Sequence, residues 1–225
     1  MKRIFTLLSI IILSFVGCNV YAQKNNTEND YNLKKAYEVL NEENDEAKAL
    51  DIVNKQLRET PDNVYALVLR ARILRRKGEY GQALQDINHA LKVNKPRKTE
   101  CPNSALYWWK GYIYQDMYDM DNTVLALKTA YELARKDNKD NLQSIAFDYA
   151  QALHYEEDYA ASDVIYRNMI KENEADQGAM VGLARNMMER EEYSDALEML
   201  DKCQKYDADY AEIYRFKMQA YDKLG

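Results

Sequence analysis

The sequence predicts an all-α chain built from repeated helical hairpins, and three observations carry that expectation. Among 225 residues there are only 7 Gly and 3 Pro, too few for a sandwich or barrel that needs a turn signal every ~8–12 residues. Apolar and aromatic residues make up 47% of the chain and charged ones 30%, a balance that buries a core and excludes a disordered polymer. The apolar residues also recur at helical spacing in blocks that repeat along the chain.

The N-terminus reads as an export address. Lys2 and Arg3 precede an apolar run from Ile4 to Val16. That run is too short for a comfortable membrane span, so it suits a signal peptide. Val20-Tyr21-Ala22 offers a signal-peptidase site, giving a leader of residues 1–22 and a mature start at Gln23. The alternative is a lipoprotein signal ending before Cys18, because Phe15-Val16-Gly17-Cys18 is similar to a lipobox, although Phe15 stands where Leu is usual. Both readings place the protein outside the cytoplasm. The first makes it periplasmic and the second makes it a lipid-anchored membrane protein. Loss of Lys2 and Arg3 moves the formal charge from −6 to −8, which disfavours nucleic acid as a partner. Cys101 and Cys203 then remain in a compartment that permits a bridge between them, but the register separates them by about three repeats, against the close α-carbon approach a disulfide needs.

The repeat is clearest from Leu67 to Val93. Leu67, Ala71 and Leu74 mark one helix, Gly78-Glu79-Tyr80 a turn, and Ala83, Leu84, Ile87, Ala90 and Leu91 a second helix. In phase with this block, units lie near 30–63, 64–97, 104–137, 143–176 and 177–210, with a capping helix at 211–225. Tyr37, Ala71, Gly111, Ala150, Ala184 and Met218 share one place on the first helices. Ala49, Ala83, Thr123, Ser162 and Ala196 share one place at the opening of the second helices. Pro61, Pro96 and Pro102 fall at joints between units, where proline stops a helix. The interior places hold Leu40, Leu74, Tyr114, Leu153, Met187 and Tyr221 on the first helices, and Val53, Ile87, Leu127, Tyr166 and Leu200 on the second. These are expected to form one continuous core. The last helix is expected to expose a polar side of Glu212, Arg215, Asp222 and Lys223.

The 34-residue step, the Gly111–Tyr114 spacing, the Gly78-Glu79-Tyr80 turn and Ala83…Ala90 make residues 30–225 resemble the tetratricopeptide repeat family, or TPR family. The resemblance implies a right-handed α-solenoid of about five TPR hairpins plus a C-terminal capping helix. It also implies a concave groove lined by the first helices, at places 2, 5, 9 and 12 of each unit with 6 and 13 at the margin. In this chain the groove places are filled by Tyr65, Val68, Arg72, Arg75 and Arg76, then Trp108, Trp109, Tyr112 and Gln115. Phe147, Asp148, Gln151, His154 and Tyr155 follow, then Val181, Arg185 and Met188. Trp, Tyr and Arg are the residue types that anchor protein interfaces, and an arginine strip steers an acidic peptide. The candidate partner-binding set is therefore Arg72, Arg75, Arg76, Trp108, Tyr112, Phe147, Gln151, His154 and Arg185. One known mode of the family is set aside: Lys34 matches the lysine of a carboxylate-clamping pair, but Glu38 stands where its asparagine belongs, and an acid there repels a carboxylate.

No catalytic constellation, metal motif or cofactor loop is present in the sequence. His89 and His154 lie in different units, the first reading as a solvated surface imidazole and the second as a hydrogen-bonding groove residue. The acidic run Glu42–Glu46 lacks the alternating spacing of a calcium loop and reads as a helix cap. The expected function is non-enzymatic: a scaffold or adaptor of the bacterial envelope that takes a peptide or protein in its groove. The alternative is an accessory subunit of an envelope assembly or secretion machine, lipid-anchored through Cys18 in one variant, for which exposed apolar places on the second helices would be the sign.

Overall fold

The computed structural model describes residues 28–95, 101–137 and 141–225. The expected leader, its cleavage site, Cys18, the linker residue Pro96 and Asn138 lie outside the described residues. Eleven α-helices follow one another, with no strand among the described residues. Five hairpins pair α1 (Glu28–Glu38) with α2 (Glu46–Glu59), α3 (Val64–Arg76) with α4 (Tyr80–Val93), α5 (Asn103–Asp116) with α6 (Met120–Asp137), α7 (Leu142–Tyr155) with α8 (Tyr159–Glu172), and α9 (Gln177–Glu189) with α10 (Tyr193–Gln204). A last helix, α11 (Ala211–Leu224), packs on α9 and α10. Each helix touches mainly its neighbours in sequence, and first helices of consecutive hairpins also touch. That pattern is a solenoid.

The turn inside every hairpin has one geometry. Asn44, Gly78, Tyr118, Glu157 and Glu191 occupy the same place of five units, and all have φ between 54° and 77°. In four of these turns two backbone bonds close the preceding helix, as when Gly78 N–H donates to Arg75 O at 3.0 Å and Glu79 N–H to Leu74 O at 2.8 Å. This is the left-handed helix ending in which glycine is the usual residue. Here only one of the five is glycine. In the first unit a π-helical turn, Val39–Glu43, precedes Asn44 instead.

Four helix starts, those of α2, α3, α8 and α9, carry side-chain caps. Asp45, Asn63, Asp158 and Asp176 each accept the amide of the residue three positions on, at 2.9–3.1 Å, satisfying donors that a helix leaves unpaired at its start. The acidic run Glu42–Glu46 thus supplies a cap through Asp45. At the helix crossings the small residues are needed for space. Ala49, Ala83, Thr123, Ser162 and Ala196 are all fully buried, and Ser162 Oγ also donates to Ala150 O at 2.8 Å across its hairpin. A Cβ on Gly111 would lie 2.7 Å from Leu127 Cδ2.

The expected single core is two clusters. One gathers α1–α4 with Leu106, Trp109 and Ile113 of α5, and the other runs from Trp108 and Leu127 to Phe216. They meet at α5, where Trp108 and Trp109, about 100° apart around the helix, point into different clusters and Tyr112 packs on both. Two expectations about α11 are corrected. Tyr221 is exposed rather than interior, because none of the described elements covers that side of α11. The open side of α11 is also not simply polar, since it carries Tyr214, Met218, Tyr221 and Leu224 beside the charges. Cys203 is a buried free thiol, so it forms no bridge with Cys101. Burial pushes its pKa up to about 11. Among the described residues no helix is long and apolar enough to cross a membrane.

Candidate binding groove on the first helices

The groove residues of α3 meet their neighbours across the first-helix layer. The Arg72 guanidinium lies between the rings of Tyr37 on α1 and Trp109 on α5, 5.2 and 5.0 Å from the centroids. Burial lowers its pKa, yet an arginine stays charged. This stack joins three first helices through cation–π contacts. Arg75 crosses to α5, pairing with Asp116 at 2.6 Å and lying 5.2 Å from the Tyr112 ring. Arg76 turns the other way, donating to Leu40 O at 2.9 Å and Asn44 Oδ1 at 3.0 Å. The three arginines therefore do not form one open strip. All three reach across joints between hairpins, Arg72 by ring stacking and Arg75 and Arg76 by polar bonds, which the spacing in the sequence does not show.

Trp108 is corrected in the same way. It is 1% exposed, so it lies beneath the groove rather than on it. Its indole N–H donates to Asp148 Oδ2 on α7 at 2.7 Å, and Tyr112 OH donates to the same oxygen at 2.6 Å. Burial raises the pKa of Asp148 above its ordinary 3.8, while these two donors pull it back down. Burial and the Asp148 charge also raise the Tyr112 phenol. The triad Trp108–Tyr112–Asp148 locks α5 to α7 across the joint that holds the long linker. Asp148 was visible as a groove place, but its role depends on a partner 40 residues away in sequence.

His154, at the C-terminal end of α7, reaches α9. Its Nδ1 lies 2.7 Å from Asn186 Oδ1, and Asn186 Nδ2 donates to Asp163 Oδ1 at 2.8 Å. Since Asn186 presents an oxygen, His154 Nδ1 carries the proton. Arg190 closes the chain on Asp163 Oδ2 at 3.0 Å. Burial and the nearby Arg185 charge hold the His154 pKa down to about 4, against a weaker raising by Asn186. It is therefore a neutral imidazole at physiological pH. His89, by contrast, is a surface imidazole 2.8 Å from Asp62.

Arg185, on α9, lies 5.9 Å from the Tyr155 ring and beside the Tyr166 hydroxyl, whose pKa it lowers against the rise from burial. Its Nε is buried with no hydrogen-bond partner. Neither Arg185 nor Arg72 has a carboxylate partner within 4.0 Å among the described residues. Phe147 packs edge-on against Tyr166, with centroids 6.0 Å apart, and half-buried Gln151 completes the α7 face. The surface thus offers two guanidiniums framed by aromatic rings, with a neutral histidine and a buried acid between them in sequence. No group of three or more metal-ligating side chains occurs among the described residues.

Helical hairpins of this length, in phase and joined by left-handed turns, define the tetratricopeptide-repeat fold. The comparisons place the chain among solved structures of that kind. It superposes on YrrB, described as a TPR protein with an unusual peptide-binding site, with a TM-score of 0.64 at 18% identity over 83% of this chain and 90% of YrrB. A tetratricopeptide repeat protein from Parabacteroides merdae gives 0.71 at 16% identity, covering 88% of this chain and 73% of the other. PilW, a widely conserved type IV pilus biogenesis factor, gives 0.71 at 14% identity, covering 89% and 88%. No family model and no curated protein matches the sequence.

Proposed function

We propose that this protein is a non-enzymatic scaffold of the bacterial envelope whose first-helix face takes an acidic peptide segment of another protein. One observation carries the reading: Arg72 and Arg185 are guanidiniums on that face without a carboxylate partner among the described residues, in a chain where acids outnumber bases, 37 to 31. A guanidinium matches a carboxylate in two-pronged geometry. Tyr37 and Tyr155 supply flat apolar walls beside the two cations, and buried Trp109 backs Arg72 from below. The fold shared with YrrB, a protein with a peptide-binding site, supports the same use of the face. The export leader read in residues 1–22, or its lipid-anchored variant through Cys18, supports an envelope location, as does likeness to a pilus biogenesis factor.

The test is an array of twelve-residue Asp/Glu-rich peptides, titrated by fluorescence anisotropy at low and physiological salt. Wild type is expected to bind a subset with affinity that weakens as salt rises. Arg72→Gln with Arg185→Gln should weaken that binding at least roughly tenfold. Equal binding by the double variant, or none by wild type at low salt, defeats the reading.

A second reading keeps support from one feature. Leu125 on α6 and Val164 on α8 occupy the same place of adjacent units, and both are exposed, where the other units carry Asp51, Gln85 and Glu198. An apolar pair on the second helices suits an accessory subunit of an envelope machine that also uses its back.

A further inference from the structure

The open face of α11 carries a regular apolar stripe. Tyr214, Met218, Tyr221 and Leu224 are 51%, 67%, 59% and 52% exposed, and their steps of four, three and three residues put them on one side of the helix. The opposite side, Ile213, Phe216 and Ala220, is buried against the solenoid. In earlier hairpins the places matching Tyr214 and Tyr221 hold Leu67 and Leu74, or Met180 and Met187, all buried. There the second helix of the hairpin runs antiparallel over them. The stripe on α11 is thus a helix-packing face with no helix on it among the described residues. Met218 also stands where Ala71, Gly111, Ala150 and Ala184 allow close helix approach. Its bulk suits a wider, coiled-coil-like spacing.

We propose that this face pairs with the α11 stripe of a second copy of the chain, antiparallel, about a two-fold axis near Met218. The charges beside the stripe select this occupant. One edge holds Lys217, which is turned onto Asp201 and Gln204 of α10 and is spent there. The other edge holds Arg215 and Asp222, both exposed. An antiparallel pair brings Arg215 of each copy opposite Asp222 of its partner, twice by symmetry, so the face complements itself. A parallel pair would need Lys217 to reach Asp222. Arg215 now pairs with Glu212 at 3.1 Å and lies 4.2 Å from the Phe216 ring centroid, contacts of an exposed guanidinium that are weak enough to yield. Tyr214 is held ready, its hydroxyl donating to Ala208 O at 2.6 Å and accepting from Gln204 Nε2 at 3.0 Å. Two single-helix faces bury less than a standard specific interface, so dimerisation is reversible and concentration-dependent.

The test is sedimentation velocity from ~1 to ~200 μM, spanning the dissociation constants usual for such small interfaces. The chain is expressed with its own leader and studied in the form the host leaves. Monomer–dimer exchange is expected in wild type, with only monomer for Met218→Glu. Because position 218 is exposed, that variant keeps its circular dichroism and melting temperature. Arg215→Glu or Asp222→Arg alone should weaken the dimer roughly three- to tenfold, and the two together should restore it. A monomer at every concentration, a dimer indifferent to Met218→Glu, or a double reversal no tighter than the singles overturns the proposal.

Discussion

A Cβ added at Gly182 would fall on the ring of Tyr166, within 2.7 Å of both Cε atoms. That ring is fully buried, so the clash would force the packing between α8 and α9 to shift. Gly182→Ala is therefore expected to cost about 2 kcal/mol or more, although alanine is the better helix former. At Gly81 nothing lies within 4 Å of the added atom, so Gly81→Ala should be neutral or slightly stabilising. Denaturant midpoints for the two variants decide the matter, and equal midpoints would show that α8 and α9 can part at no cost. The same scale holds a pH effect. His154 titrates near 4 in the folded chain, below its ordinary 6.5, so the unfolded chain takes up a proton first as pH falls. Its contribution is complete above 6.5 and is lost between 6.5 and 4. Solvent still reaches the ring, which limits the loss to about 1–2 kcal/mol. His154→Gln should flatten the stability profile in that window, as measured by urea unfolding at pH 7 and pH 5. A parallel decline in both proteins would assign the acid sensitivity to other groups.

The helical hairpins were legible in the sequence because a fully buried crossing tolerates only small residues, and Ala49, Ala83 and Ala196 recur where the crossings occur. The turns were less legible. Among the five hairpin turns glycine marks the left-handed place only at Gly78, while Tyr118, Glu157 and Glu191 adopt φ of 59–64° without it. Their backbone hydrogen bonds match those around Gly78, so the helix packing imposes the geometry against local preference. Tyr118 is almost fully exposed and loses little packing if removed. Tyr118→Gly is thus expected to stabilise the chain by about 1 kcal/mol, and Gly78→Ala to destabilise it by a similar amount. Thermal melts of both check this. Destabilisation by Tyr118→Gly would mean that the tyrosine ring contributes more than its backbone strain costs. The α11 stripe was present in the spacing of Tyr214, Met218 and Tyr221, yet the charged residues between them read as a polar side. Which face of a terminal helix is covered depends on its neighbours, not on its own pattern.

Across the whole molecule, α5 divides the core, and the groove residues were misread where they belong to that division. Places 5 and 6 of the third unit identify Trp108 and Trp109 as groove residues, but the register cannot give depth. Asp148, Tyr112 and the Arg72 stack turn both indoles into parts of the joint. A solenoid held by nearest-neighbour contacts opens in segments rather than all at once, and two clusters that share one helix should open separately. Leu67 lies in the N-terminal cluster and Leu183 in the C-terminal one, both buried. Replacing either with alanine removes about 2–4 kcal/mol of local packing. Leu67→Ala should raise amide exchange in α1–α4 while α8–α10 keep their protection, and Leu183→Ala should do the reverse. Helix α5 should respond to both, because Tyr112 packs on each cluster and Trp108 and Trp109 are divided between them. Native-state hydrogen exchange read by mass spectrometry distinguishes this from one cooperative core, in which either substitution would lower protection uniformly from α1 to α11.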